Sequence, residues 1–329
     1  MATVGTLSLT LADHAKRTND RKIQTVVEIL NKHNDVLQSI LWREANQKTG
    51  HKTTVRSGLP SATWRMLYQS VQPTKSTTVQ VTDTIGGLET YSQTDVALAD
   101  LEGNRKAFLL SENVAFIEGL AQQMATAIFY ANTDTDPAQI LGLSPRYNSL
   151  SATNGDQIID GGGTGSDNTS IWMTTWGDRY NQGLFPRGSK AGLMATDKGQ
   201  VTEGVSSTGY MEMYRTHYKW QAGLSVRDWR YNVRIANVDV TDLTKAAASG
   251  ADLVDLLIQA AYVHENSDAP NTVIFCNKTI KSFLHRQLRN DSNMNLSYGK
   301  DEFGREVLMF MGIPIRRCDA LVNTEATVS

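Results

Sequence analysis

Residues 104–132, NRKAFLLSENVAFIEGLAQQMATAIFYAN, constrain this chain more than any other stretch. Ala107, Leu110, Val114, Ile117, Ala121, Met124 and Ile128 recur at alternating spacings of three and four, the period of one helix face. A second apolar line, Leu109, Phe116, Leu120 and Ala127, runs beside the first. Asn104 stands where an N-cap is needed, Gly103 precedes it, and Pro137 lies past the far end. At that length the helix reaches about 40 Å, the span of a small domain. Few charges interrupt it, only Arg105, Lys106, Glu112 and Glu118. A helix apolar on more than one side has to be clamped between other elements. It reads as a spine, and a charged residue at Ile117 or Met124 is expected to prevent folding.

The charge balance narrows the function. With 32 Lys and Arg against 34 Asp and Glu, the net charge is −2, which argues against a dedicated nucleic-acid binder. A neutral protein can still line a compartment that holds DNA without gripping it. The 329 residues suffice for one large or two ordinary domains. Cys276 and Cys318 each sit in an apolar run and read as reduced, buried thiols. Residues 1–10 lack the basic start and apolar core of a secretory leader, and no apolar run approaches the roughly 20 residues of a membrane span.

Ahead of the spine, residues 22–42 carry a helical pattern through Ile23, Val26, Val27, Leu30, Val36 or Leu37, Ile40 and Leu41, while 48–54 reads as loop. That helix has one apolar face and little of its own to cover it. Residues 64–71 and 77–81 are β-prone runs around a turn at Pro73, and Ile85-Gly-Gly-Leu88 reads as the break after them. The pattern is a long hairpin, either an arm or folded onto the core. Residues 149–169, low in apolar content and holding Gly161-Gly-Gly-Thr-Gly165, read as a flexible loop. Beyond it come strands at 171–176, 210–220 and 224–238, with a turn at Gln221-Ala-Gly223 between the last two. A helix around Leu253–Ala261 capped by Ser249, a buried strand at 272–276 and a basic helix at 278–289 capped by Asn277 follow. Strands at 307–311 and 313–318 close the chain around Gly312. The class is α+β.

No catalytic constellation emerges. The glycine run has no Gly-Lys-Ser/Thr after it, Gly188-Ser-Lys190 lacks the upstream glycine of a phosphate loop, and the six histidines show no ligand spacing. Asp134 and Asp136 fail the EF-hand pattern, which needs a glycine and a glutamate further on. No metal, cofactor or catalytic residue is expected. Arg316-Arg317 and the basic face Lys278, Lys281, Arg286 and Arg289 read as solvated or inter-subunit charge rather than a nucleic-acid patch. The aromatic residues of 210–231 read as sheet face or protein interface.

The order of parts resembles a tailed-bacteriophage major capsid protein: arm, extended hairpin, spine helix, then a mixed domain ending strand-glycine-strand. The ending VLMFMGIPIRRCD at 307–319 is similar to that of these proteins, and 175–193 and 228–238 resemble its podophage-type branch. The resemblance implies a Hong Kong 97-like fold: an N-terminal arm (1–57), an extended hairpin loop (58–90), and part of a peripheral domain (91–148) with the spine at 104–131. An axial domain plus long peripheral-domain strands (149–329) would complete it. It further implies self-assembly into hexamers and pentamers of an icosahedral shell around double-stranded DNA, without sequence-specific binding. Expected partners are a portal protein and a separate scaffolding protein, with a cement protein left open and no membrane. Assembly in the host cytoplasm and residence in the virion follow. Trp64, Tyr68, Lys75, Arg316 and Arg317 are the candidate inter-subunit contacts. Some relatives seal the shell with a Lys–Asn crosslink. Lys75 could serve, but no Asn or Glu partner can be placed, and no crosslink is expected. Two alternatives remain. One is an encapsulin-like compartment protein. The other is an α+β enzyme with its site on the 149–169 loop, where Asp156, Asp160 and Asp167 are the polar groups available.

Overall fold

The apolar segment forms one uninterrupted helix. The computed structural model describes residues 18–19, 22–23, 32–101, 104–205, 209–244, 250–290, 296–300 and 306–329. In chain order these form strands β1 (Thr18–Asn19) and β2 (Lys22–Ile23), helix α1 (Val36–Ser39), strands β3 (Trp42–Glu44), β4 (Gly50–Gly58) and β5 (Thr77–Asp95), helix α2 (Val96–Asp100) and the spine α3 (Arg105–Tyr130). Strands β6 (Ile158–Asp160), β7 (Asn168–Thr175), β8 (Asn181–Phe185), β9 (Leu193–Val205), β10 (Gly209–Val226) and β11 (Asn232–Asp239) come next. Helix α4 (Leu253–Val263), β12 (Thr272–Cys276), α5 (Lys278–Asn290), β13 (Leu296–Lys300), β14 (Glu306–Phe310) and β15 (Ile313–Arg317) complete the order.

Asn104 caps α3 as expected, its side chain accepting from the Ala107 N–H at 3.4 Å. The buried arc differs from the one read in sequence. Phe108, Leu120, Met124, Ala125, Ile128 and Phe129 face inward, whereas Leu110, Val114 and Ile117 are exposed, Ile117 by 44%. Among the described residues, the first half of α3 packs on the sheet and on α2: Phe116 stacks on Tyr218 of β10 at 6.4 Å, and Phe108 packs with Leu98 and Ala99 of α2. Only the second half enters a core, where Phe129 meets Trp172 and Phe275. The expectation for Ile117 is therefore corrected, whereas Met124 lies in the buried arc.

The sheet under α3 runs β3-β8-β10-β5-β4, with β9 also on β10. One strand, β5, serves two partners: Thr77–Thr84 pairs with β4, and Ile85–Asp95 pairs with β10. This corrects four sequence readings. Residues 48–54 are not loop, since β4 begins at Gly50. Residues 64–71 are not a strand, because the hairpin closes between Gly58 and Thr77. Gly86 does not break β5. A Cβ there would meet the Ala138 carbonyl oxygen at 2.9 Å, so the glycine admits a crossing chain segment. Nor is 221–223 a turn: β10 continues through it, and a Cβ on Gly223 would meet the Thr84 carbonyl oxygen at 2.8 Å. The break falls instead at a short 3-10 turn, Trp229–Tyr231, capped by Asp228.

A second, seven-stranded sheet runs β13-β14-β15-β12-β7-β11-β6. Its interior strand β7 is buried throughout, and its pleat sends Ile171 and Met173 to one face and Trp172 to the other. The first face is covered by α4 and α5, the second by the end of α3, Tyr147 and the chain's last residues. Residues 149–169 belong to this sheet instead of forming a free loop, for β6 pairs in parallel with β11 and Ile158 and Ile159 are buried. Asn277 caps α5 as expected, accepting from the Ile280 N–H at 2.9 Å. For α4 the cap is Asp252, not Ser249, which lies outside the described residues. The helix expected over 22–42 is corrected within the described residues. Lys22–Ile23 is strand, α1 spans only Val36–Ser39, and Trp42 pairs with Gly183, whose missing side chain leaves room for the indole. Residues 24–31 lie outside those described.

Candidate inter-subunit surfaces

The β4–β5 hairpin stands away from the body. No residue from 52 to 82 is buried. Its base, by contrast, is anchored through buried polar contacts. Asp83 accepts from Arg146 at 2.8 Å, and His51 lies 3.1 Å from Arg227. Burial first, and then the Arg227 charge, hold the His51 ring below its usual pKa. Between the strands, residues 59–76 form an irregular tip closed by the Thr74 hydroxyl donating to the Ser61 carbonyl at 3.0 Å. Trp64 and Tyr68 are fully exposed there, alongside Leu59, Met66 and Leu67, and Lys75 is exposed close by. Tyr68 adopts a left-handed φ of 68°, an uncommon state for an aromatic residue.

Three of the five sequence candidates, Trp64, Tyr68 and Lys75, thus share the tip. Arg316 and Arg317 lie far along the chain in β15, on opposite faces of its pleat. Arg317 is bound within the subunit, donating to Asp319 at 2.7 and 2.5 Å. That pair fastens the chain end to the N-terminal segment, since the His33 N–H also donates to Asp319 at 3.3 Å. Arg316 is half-buried, and its Nε has no hydrogen-bond partner among the described residues.

The acids of 149–169 do not converge. Asp160 accepts from the Gly162 N–H and from Asn237, both at 2.9 Å. Asp167 accepts from the Thr241 hydroxyl at 2.6 Å, the bond that holds its carboxyl below the usual range. These groups shape turns, as Asx residues do. A different buried cluster went unread in the sequence. Arg234 of β11 pairs with Glu325 at 2.8 Å, donates to Ser170 at 3.0 Å and to the Tyr147 carbonyl at 2.7 Å, and lies over the Trp172 ring. The Tyr130 and Ser170 hydroxyls also bond Glu325. Burial pushes the Tyr130 phenol well above its usual pKa. These residues stitch three distant segments, and nothing in sequence spacing brings them together. Burial likewise pushes the Cys276 and Cys318 thiols up to about 12, which makes them unreactive packing groups.

The model of the family described as major capsid protein GP7 matches residues 18–329. The chain belongs to that family. A chain of bacteriophage Epsilon15 shares 38% identity with this capsid protein, over 100% of this chain and 99% of that one, with a TM-score of 0.78. The bacteriophage JBD30 capsid matches 95% of this chain and 99% of its own at 9% identity and a TM-score of 0.52, a likeness of fold. An encapsulin from Synechococcus elongatus is fainter still, with a TM-score of 0.48 at 10% identity over 72% of this chain and 99% of that one. No curated protein sequence matches. The fold is Hong Kong 97-like, and the protein is a structural component of a phage head that assembles with copies of itself into an icosahedral shell.

Proposed function

We propose that the β4–β5 hairpin is the arm with which each capsid subunit holds its neighbour. One observation carries this reading: Trp64, Tyr68, Leu59 and Leu67 stand in water at the end of a stalk whose base is fixed by Asp83 and Arg146. Aromatic side chains clustered this way are the usual anchors of an interface core. Lys75 and Arg316 supply cations for its polar rim, while Arg317 acts from within by holding the chain end. The extended loop is then residues 50–84, the stretch over which β4 and β5 pair and close, in place of the 58–90 expected from sequence, and the N-terminal arm is the chain ahead of it. The peripheral domain comprises 91–148 and the long strands of the first sheet, and the axial domain comprises the rest of 149–329. The shell encloses double-stranded DNA by confinement, which a chain of net charge −2 suits. Scaffolding and portal proteins are separate chains, and assembly takes place in the host cytoplasm. Replacing residues 60–75 by a short Gly-Ser linker is expected to leave the thermal melt of the subunit unchanged and to abolish shells in negative-stain images. Normal particles from that variant would overturn the arm.

A further inference from the structure

Among the described residues, the two ends of the seven-stranded sheet carry side chains of opposite charge that have no ion-pair partner. Helix α5 lies over β14 and β15, its Ile280 and Leu284 packed with Leu308, Phe310 and Ile315. It contains no acidic residue. Lys278 and Arg286 are exposed and Lys281 is half-buried, and none has a carboxylate partner among the described residues. Elsewhere Arg43, Arg146, Arg215, Arg230 and Arg317 are all paired. At the other end α4 lies over β11 and β6. No Lys or Arg occurs from 149 to 178. Asp156, Asp160 and Asp255 are exposed there, and their hydrogen bonds go to neutral groups such as Gln259 and Asn237.

Distance decides what these charges can do. From β15 to β6 the sheet order is β15-β12-β7-β11-β6, about 19 Å at roughly 4.8 Å per strand. Salt at physiological strength screens exposed charges over about 8 Å, so within one copy neither end neutralises the other. A head-to-tail ring brings unlike ends together in every neighbouring pair. Each end also offers an aromatic contact: Tyr262 is exposed on the α4 face that carries Asp255, and Tyr298 is exposed beside His285 of α5.

We propose that the basic α5 end of this sheet docks on the acidic α4–β6 end of a second copy, fixing the direction in which subunits close into a ring. This rests on the shell-forming role. The hairpin deletion keeps both ends intact, so rings that form without shells separate the two readings. The test uses full-length K278E/K281E/R286E, D156K/D160K/D255K and the chain carrying all six changes, each checked for folding by thermal melt and then followed by sedimentation and negative stain. Like charges across an interface cost several kcal/mol. Each single-end reversal is therefore expected to lower ring and shell yield at least about tenfold at low salt, and the six-change chain to recover it. If that chain does not fold, mixing the two single-end variants is expected to restore even-membered rings, since one is then acidic at both ends and the other basic and the two must alternate. The proposal is overturned if neither the six-change chain nor the mixture exceeds the single-end variants, or if single-end reversal leaves assembly intact. Intact shells that have lost packaged DNA would assign the basic end to nucleic acid instead.

Discussion

Glu325 ties the last residues of the chain to the strand bearing Arg234, with 7% and 3% of each exposed. Replacing Glu325 by Gln keeps its shape and strands a buried guanidinium. Breaking one side of such a pair costs about 3–5 kcal/mol, so chemical denaturation of the unassembled subunit should show a loss of that order. His264 gives the subunit an acid sensitivity. Its ring lies 3.0 Å from the Thr175 hydroxyl and 3.1 Å from the Tyr231 carbonyl, and burial holds its pKa below the ordinary 6.5. The unfolded chain takes up a proton near that pH which the folded subunit refuses. Stability is therefore full above it and falls as the pH drops towards the lowered folded-state value. A His264→Gln subunit should show a flatter fall in Tm between about pH 7 and 5.5 than the native chain. Equal slopes would remove His264 from the account.

At the scale of elements, α3 has two halves with different duties. Met124→Glu puts a charge against Phe129 and Trp172 and should yield insoluble protein, whereas Ile117→Glu falls on an exposed stripe and should leave the melt of the subunit within about 0.5 kcal/mol of native stability. Periodicity located α3, its Asn104 cap, α5 with Asn277, and the strands on either side of Gly312, because each of these is specified by neighbouring residues. It could not say which apolar line of α3 meets a partner, since both lines have the same period. The second strand of the first hairpin and β10 were read as broken because their glycines resemble punctuation. In the fold, Gly86 and Gly223 permit close crossings by residues far away in sequence. Strand β9 was missed for a related reason: opposite Arg215 it carries a bulge at Lys198-Gly199, with Gly199 at φ 69°, and this looks like a turn. Among the candidate contacts, Trp64, Tyr68 and Lys75 come with the resemblance to capsid proteins, and their gathering at one exposed tip is hidden in the sequence, because the β-prone run 64–71 looks like a strand. The Arg317–Asp319 fastening was not, because its purpose depends on the N-terminal segment returning to residue 319.

On the scale of the whole molecule, β5 belongs at once to the projecting hairpin and to the body sheet. Its residues Ile85–Asp95 run beside β10 in unbroken antiparallel register from Gly223 to Met213. A pull on the tip along the strand therefore meets those cross-strand bonds in shear, where they resist together, and cannot peel them one at a time. Tension in a closed shell would pass from one subunit's tip straight into the sheet beneath its own spine, so the hairpin behaves as a tie rod built into the plate.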